Sequence, residues 1–528
     1  MSTAALPHDR PAEFLGHPKG LYICFLTEMW ERFSFYGMKA LLLLYLVKYH
    51  LFTDDNGYNL VGAYGGLVYA MPVIGGLIAD RWLGMRKAVV FGGILLVLGH
   101  LGMAIEGHPA SSVGGVVTRD AHALQVFYFS LALIILGVGF LKPNISTIVG
   151  KLYPDDDPRR DSGFTLFYAG INLGGTFSGI LCGWLGETYG WGWGFGAAGV
   201  GMLAGLANFI YGQKYLLGHA EPRDPAALRQ RVFGPLTREH LIYLGSLGLL
   251  VVIWGLIQAH SLFLAIIPGW FEPSPVILAM HVITACLLTG ILWFMFTRCT
   301  KVEREQMFVV LAFIVLCLVF FTIYEQTYGS WVLFSDRVMN HDALGKEWNA
   351  SELTSLGSFF ILVLAPFFAW LWPRLERAGW NPSKPAKSGY GLILAGLSFV
   401  VLVWSARHPQ ANGLTGIWWF VFAYFVLEVG EMLLSPIGLS AVTELSVPRV
   451  VSLMMGGWFL GTSYSEVLAA GLGKLSSMEI PEGEVLNVTD ALAKYDALFV
   501  FSAKIGIGSG LLTLLLTPLI KRWMHGVK

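Results

Sequence analysis

Charge is what this sequence has little of. Only 13% of its 528 residues are Asp, Glu, Lys or Arg, while 55% are hydrophobic, and the mean hydropathy is +0.61. Soluble domains carry about 25% charged residues, so a water-exposed globule is excluded and a polytopic membrane protein is indicated. The charges also cancel, 35 basic against 35 acidic, which removes any net-charge argument for a nucleic-acid partner. Cysteine is scarce: Cys24, Cys182, Cys286, Cys299 and Cys317 lie in or beside apolar segments with no CxxC spacing, which excludes a disulfide framework and a zinc site. HExxH, GxSxG and GxxxxGK[ST] are all missing, which disfavours a membrane-embedded hydrolase or an ATP-driven pump and calls for no cofactor and no metal. Residues 1–20 lack an apolar core, so they read as a cytoplasmic tail rather than a cleaved signal peptide.

Long apolar runs are what the chain does have. Stretches of about 20 apolar residues, the length that crosses a bilayer, occur near 21–48, 59–80, 88–106, 122–143, 163–184, 193–213 and 240–259. Seven more follow near 276–297, 307–326, 352–372, 389–406, 415–438, 450–472 and 497–520. With the N-terminus inside, inner loops and tails hold 24 of the 35 basic residues, so the positive-inside rule predicts an even number of spans with both termini cytoplasmic.

Against that apolar background, the charges inside spans stand out. The first span contains Glu28, Glu31, Arg32 and Lys39, each costing about 2.5–3.5 kcal/mol at membrane depth on insertion scales. Spacings of three and four put Glu28, Glu31 and Arg32 on one helix face, which must meet water, substrate or counter-charges. A single such pair serves equally well as a lock between helices; four on one stripe favour function. Lys142 lies in the fourth span beside Pro143, Glu325 ends the ninth, and Glu428 and Glu431 lie in the twelfth. By depth, Lys39 should pair with Glu325 toward one face and Lys142 with Glu431 toward the other. Two cross-half pairs of that kind make gates that cannot both open at once, or a lock on a fixed bundle.

The loop Gly76-Leu77-Ile78-Ala79-Asp80-Arg81-Trp82-Leu83-Gly84-Met85-Arg86-Lys87 resembles the loop signature of the major facilitator superfamily. That resemblance implies two six-helix halves with a substrate site between them. The chain then divides into a tail at 1–20, a first bundle at 21–213, a linker with two extra helices at 214–306, a second bundle at 307–520 and a tail at 521–528. The extra helices are expected at the periphery, with His260 and His281 as loop or interface histidines.

Two longer motifs narrow the resemblance. Glu28-x-x-Glu31-Arg32-Phe33-x-Phe35-Tyr36-Gly37 is similar to the ExxERFxYYG signature of proton-dependent oligopeptide transporters, and Phe167-Tyr168-Ala169-Gly170-Ile171-Asn172-Leu173-Gly174 to their FYxxINxG. The resemblance implies a proton-coupled symporter importing di- and tripeptides by alternating access, in a bacterial inner membrane and as a monomer. It implies that Glu431 holds the peptide amine and that Arg32 and Lys142 face its carboxylate. Tyr36, Tyr69 and Asn172 match positions that bond the peptide backbone, and Phe321 and Trp458 match apolar walls, where helix packing is an equally good account. Glu28, Glu31, Arg32 and Glu325 would carry the proton coupling. Three positions depart from the pattern: Phe35 replaces the first tyrosine of YYG, Gly357 stands where many members carry an asparagine near the amine, and Gly62 stands where animal members use a histidine. Glu428 either shares the cavity face or caps a local network. A nitrate or drug-like substrate on the same fold is the alternative, although a nitrate carrier has no need of an anion such as Glu431.

Overall fold

In the computed structural model, residues 13–154, 157–216, 218–259, 275–478 and 486–527 are described. His260, most of the N-terminal tail and Lys528 lie outside them. Fourteen helices of at least 19 residues occur among the described residues. The first six are α1 (Lys19–Leu44), α2 (Asp54–Ile78), α3 (Met85–Met103), α4 (Ala121–Lys151), α5 (Arg160–Ser178) and α6 (Trp191–Gly212). An intervening pair, α7 (Arg238–Gln258) and α8 (Pro275–Arg298), precedes α9 (Lys301–Tyr324), α10 (Ser355–Arg377), α11 (Lys384–Arg407), α12 (Ile417–Leu445), α13 (Val451–Gly473) and α14 (Val488–Trp523). Twelve helical stretches are long and apolar enough to cross a membrane by length and composition alone. The two long helices outside that set are α1, with its internal charges, and α13, rich in Gly and Ser around Glu466; both are screened from lipid by neighbours.

Side-chain caps supply partners for backbone N–H groups that the helix itself leaves unpaired. Asp120 accepts from the N–H groups of His122 and Ala123 at α4, and Thr300 and Glu303 form a reciprocal capping box at α9. Asn487, the first residue of a glycosylation-type sequon, caps α14 through its own side chain.

Helices α1–α6 pack as one half and α9–α14 as the other, and α7 and α8 lie on the outside with few of their residues buried. His281 of α8 contacts the Tyr464 hydroxyl of α13 at 2.6 Å, so it is an interface histidine. The start of α1 meets the end of the first half at Tyr215, and His525 meets Glu305 at the start of α9 at 2.6 Å. Both described ends therefore share one face of the molecule, here called the terminal face. In the loop that resembles the superfamily signature, Arg86 and Lys87 find their acids in the segment between the halves: Arg86 at Glu221 and Lys87 at Glu239, 2.6 Å away.

At the opposite, distal face, the halves are tied together. Arg337 grips Asp54 with two bonds of 2.6 and 2.7 Å, Lys48 reaches Asp336 at 2.7 Å, and the Ser351 N–H donates to Glu187 at 3.0 Å. Helix α2 runs antiparallel to α13, Tyr58 lying against Gly473 and Gly62 against Ala470, while Gly175 of α5 faces Ser358 of α10. Toward the terminal face each helix turns to its own half: Gly76 rests on Pro143 and Gly457 on Ile314. The halves thus close on each other distally and part toward the terminal face. Asp54 is buried and Arg337 partly so, and breaking a buried pair costs up to about 3–5 kcal/mol because one charge is left uncompensated. Asp54→Asn is therefore expected to lower the thermal unfolding midpoint of the detergent-purified protein; an unchanged midpoint would show that the pair contributes no stability.

Candidate functional site

The sequence pattern of α1 folds into a single charged stripe facing the space between the halves. Arg32 bonds both oxygens of Glu31, with Nη2 2.6 Å from Oε1 and Nε on Oε2, and Glu28 Oε1 lies 3.6 Å from Nε. All three side chains are buried, and the fork geometry of a guanidinium on a carboxylate is the strong form of this contact. Phe35, the departure from the tyrosine of the YYG signature, places its ring 4.7 Å from the Arg32 guanidinium. A cation over a ring face is worth about 0.5–2 kcal/mol, so a π face stands where the family has a hydroxyl. Tyr36 stacks at 5.9 Å on Tyr328 of the other half, beyond α9.

One turn further along α1, Lys39 meets two acids at once. Its Nζ lies 2.7 Å from Glu325 Oε2, at the start of the turn after α9, and 2.6 Å from Glu466 Oε1 of α13. The expected Lys39–Glu325 contact is therefore present, and it is a triad rather than a pair. Glu466 escaped the reading of the sequence. The signal that could have found it is the one used for α1: a charge inside a long apolar span, here in Gly461-Thr462-Ser463-Tyr464-Ser465-Glu466.

The expected Lys142–Glu431 contact is not made: among the described residues no ion pair joins them. Lys142 Nζ instead sits 4.6 Å from the centroid of Tyr69, on the side of the first half. The reason is the divergence of the two halves below the distal contacts, which carries α4 away from α12. Glu431 and Glu428 are both buried on α12. A Cβ at Gly357 would lie 2.9 Å from Glu428 Oε1 and 3.5 Å from the Tyr324 hydroxyl, so the room left by the missing asparagine is filled by Glu428. The Glu428 and Glu431 carboxylates stand beside each other and beside the Tyr324 hydroxyl.

Asn172 donates to the Tyr168 carbonyl of its own helix at 3.1 Å. Phe321 is half-buried and edge-on to Tyr324 at 5.8 Å. Trp458 packs on Gly438, in a cluster with Met307, Phe313 and Cys317, so its ring serves the core of the second half. Among the described residues, three cations, Arg32, Lys39 and Lys142, thus share the interior between the halves with six carboxylates, Glu28, Glu31, Glu325, Glu428, Glu431 and Glu466.

The sequence profile of the POT family matches residues 86–481. The uncharacterized transporter YclF of Bacillus subtilis is 35% identical, covering 97% of this chain and 96% of its own. The peptide transporter YePEPT of Yersinia enterocolitica is 34% identical, covering 87% and 88%. A crystal structure of a peptide transporter POT in complex with sulfate superposes with a TM-score of 0.77 at 32% identity, covering 98% of each chain. A POT family transporter in complex with a thioalcohol conjugated peptide also gives a TM-score of 0.77, at 26% identity over 96% of this chain and 98% of that one. This all-α, multi-pass membrane protein with the major facilitator fold, a transporter and not an enzyme, belongs to the POT family.

Proposed function

We propose that the protein is a proton-coupled symporter that imports di- and tripeptides by alternating access, with both termini cytoplasmic in an inner membrane. The observation that carries this reading is the charge inventory between the halves: six carboxylates against three cations, in an interior where an uncompensated charge is expensive. Such a set requires added positive charge. Protons supply it, and a zwitterionic peptide, with one ammonium and one carboxylate, leaves the balance unchanged, whereas nitrate would add to the excess. The poles are also divided by half. Arg32 and Lys142 belong to the first half and suit a peptide carboxylate; Glu431 belongs to the second and suits the amine, with Glu428 one turn away. Tyr36, Tyr69 and Asn172 offer polar groups to the peptide backbone, while Phe321 is a wall residue and Trp458 supports the wall from behind.

Coupling follows from the contacts each acid keeps. Glu31 is held by Arg32, so a peptide carboxylate that draws Arg32 away leaves Glu31, with Glu28 beside it, to take a proton. With the distal gate closed and the halves parted toward the terminal face, the conformation is the one that opens to the cytoplasm. The test is uptake of labelled dialanine into proteoliposomes, with and without an inward proton gradient, for the parent, Glu31→Gln and Glu431→Gln. Gradient-driven accumulation that both variants lose is expected. No dialanine uptake by folded parent protein would overturn the substrate reading, and gradient-independent uptake would overturn the coupling.

A further inference from the structure

Glu466 is buried, charged, and outside every motif that the sequence reading used. Its carboxylate sits where α13 crosses α2, and the crossing is shaped for it: a Cβ at Gly65 would lie 2.5 Å from Oε2. A turn earlier, Ser463 Oγ donates to the Gly66 carbonyl at 2.5 Å, which pins the two helices at that height. The groups facing Glu466 are Lys39 of α1, Tyr64 and Tyr69 of α2, and Glu325 in the turn after α9, with Tyr328 of that turn under the Lys39 ammonium. His281 of α8 is engaged by Tyr464.

We propose that Glu466 and Glu325 together form the site that holds one coupling proton, with Lys39 as the cation that displaces it. This rests on the symport reading above. Lys39 belongs to the first half and both acids belong to the second, so opening the distal face strips the ammonium from both carboxylates at the same moment. Both oxygens are within hydrogen-bond distance of the same nitrogen. The two carboxylates are therefore closer to each other than the sum of those bonds and remain together on one half when it leaves. Two neighbouring carboxylates in a poorly solvated site repel strongly. A proton delivered by water at the distal face turns one of them into a carboxylic acid that donates to the other. When the gate closes, the Lys39 ammonium returns, the proton leaves as hydronium toward the terminal face, and the carboxylates are again shared by one cation. One proton is taken up and one released per cycle. A lone Glu325 would lack the neighbour that makes protonation favourable once Lys39 departs.

The test compares the parent with Glu466→Gln in proteoliposomes, measuring dialanine accumulation under an imposed gradient of about one pH unit and dialanine counterflow without a gradient. One coupled proton is worth about ten-fold accumulation per pH unit, so the ratio of accumulation to counterflow should fall about ten-fold in Glu466→Gln. An unchanged ratio would overturn the proposal. Gly65→Ala, which leaves Glu466 in the chain but drives its carboxylate from the crossing, should lower the same ratio, and serves where Glu466→Gln does not fold. If the parent shows no dialanine counterflow, the substrate reading fails instead, and the proton site is judged without substrate. Infrared difference spectra of the purified protein between acid and neutral pH should then show carboxylic-acid C=O stretches that lose one component in Glu466→Gln; a spectrum identical to the parent's would overturn the proposal.

Discussion

Lys39→Ala is expected to abolish gradient-driven dialanine uptake and to open the distal gate. The ammonium holds Glu325 at 2.7 Å and Glu466 at 2.6 Å across the two halves. Removing it takes away the cation and leaves two buried carboxylates without their counter-ion. Breaking a buried ion pair by deleting one partner costs about 3–5 kcal/mol, which corresponds to a shift of about 10²- to 4 × 10³-fold in the ratio of closed to open states. Spin labels placed on the exposed rims of the distal face, one on each half, should report longer distances in the variant, and transport should stop because the gate no longer recloses. Lys39→Arg should restore part of the uptake, since a guanidinium can still bridge two carboxylates, though its flat fork fits a different geometry from a point charge. Full transport by Lys39→Ala would show that the triad is no gate.

The second large effect concerns affinity rather than closure. Glu431→Gln keeps the size and shape of the side chain but removes the charge that a peptide ammonium would meet. Truncating one side of a buried, charge-assisted contact costs about 2–5 kcal/mol, so the half-saturation concentration for dialanine should rise about 30-fold or more. A dialanine with an acetylated amine has no ammonium to lose. The parent should bind it weakly, and Glu431→Gln should bind it no more weakly than the parent does, a closed double-mutant cycle between residue and substrate group. Equal losses for both substrates would place the effect of Glu431 on the fold of the second half instead of on the amine. The fully buried position of Glu428, one turn away against Gly357, sets a limit on the loss, because a second carboxylate remains on the same helix face.

Much of this arrangement is legible in one dimension because a bilayer restricts the options so severely. Apolar runs of sufficient length must be helices, since every backbone group in hydrocarbon has to be satisfied within its own segment. The fourteen spans read from hydropathy accordingly coincide with fourteen long helices. Charges inside those runs are rare enough to stand out individually, and Glu28, Glu31 and Arg32 meet as their spacing requires, because spacings of one to four are resolved within a single helix. The two long motifs located the family for the same reason.

What only the tertiary structure decided is which charges touch across helices. Lys39 and Glu325 are 286 positions apart and Lys39 and Glu466 are 427 apart; nothing local tells Lys39 that it serves two acids. Depth along each span suggested Lys142 with Glu431, yet depth is one coordinate, and separation between the halves is another. That separation depends on where α2 and α13, and α5 and α10, press together through glycines, serines and alanines and where they part. The sequence by itself determined the helices, their charged stripes and the family; the crossing of helices from different halves, an interaction between surfaces distant in the chain, decided that Glu466 joins Lys39 and Glu325 and that Lys142 stands apart from Glu431.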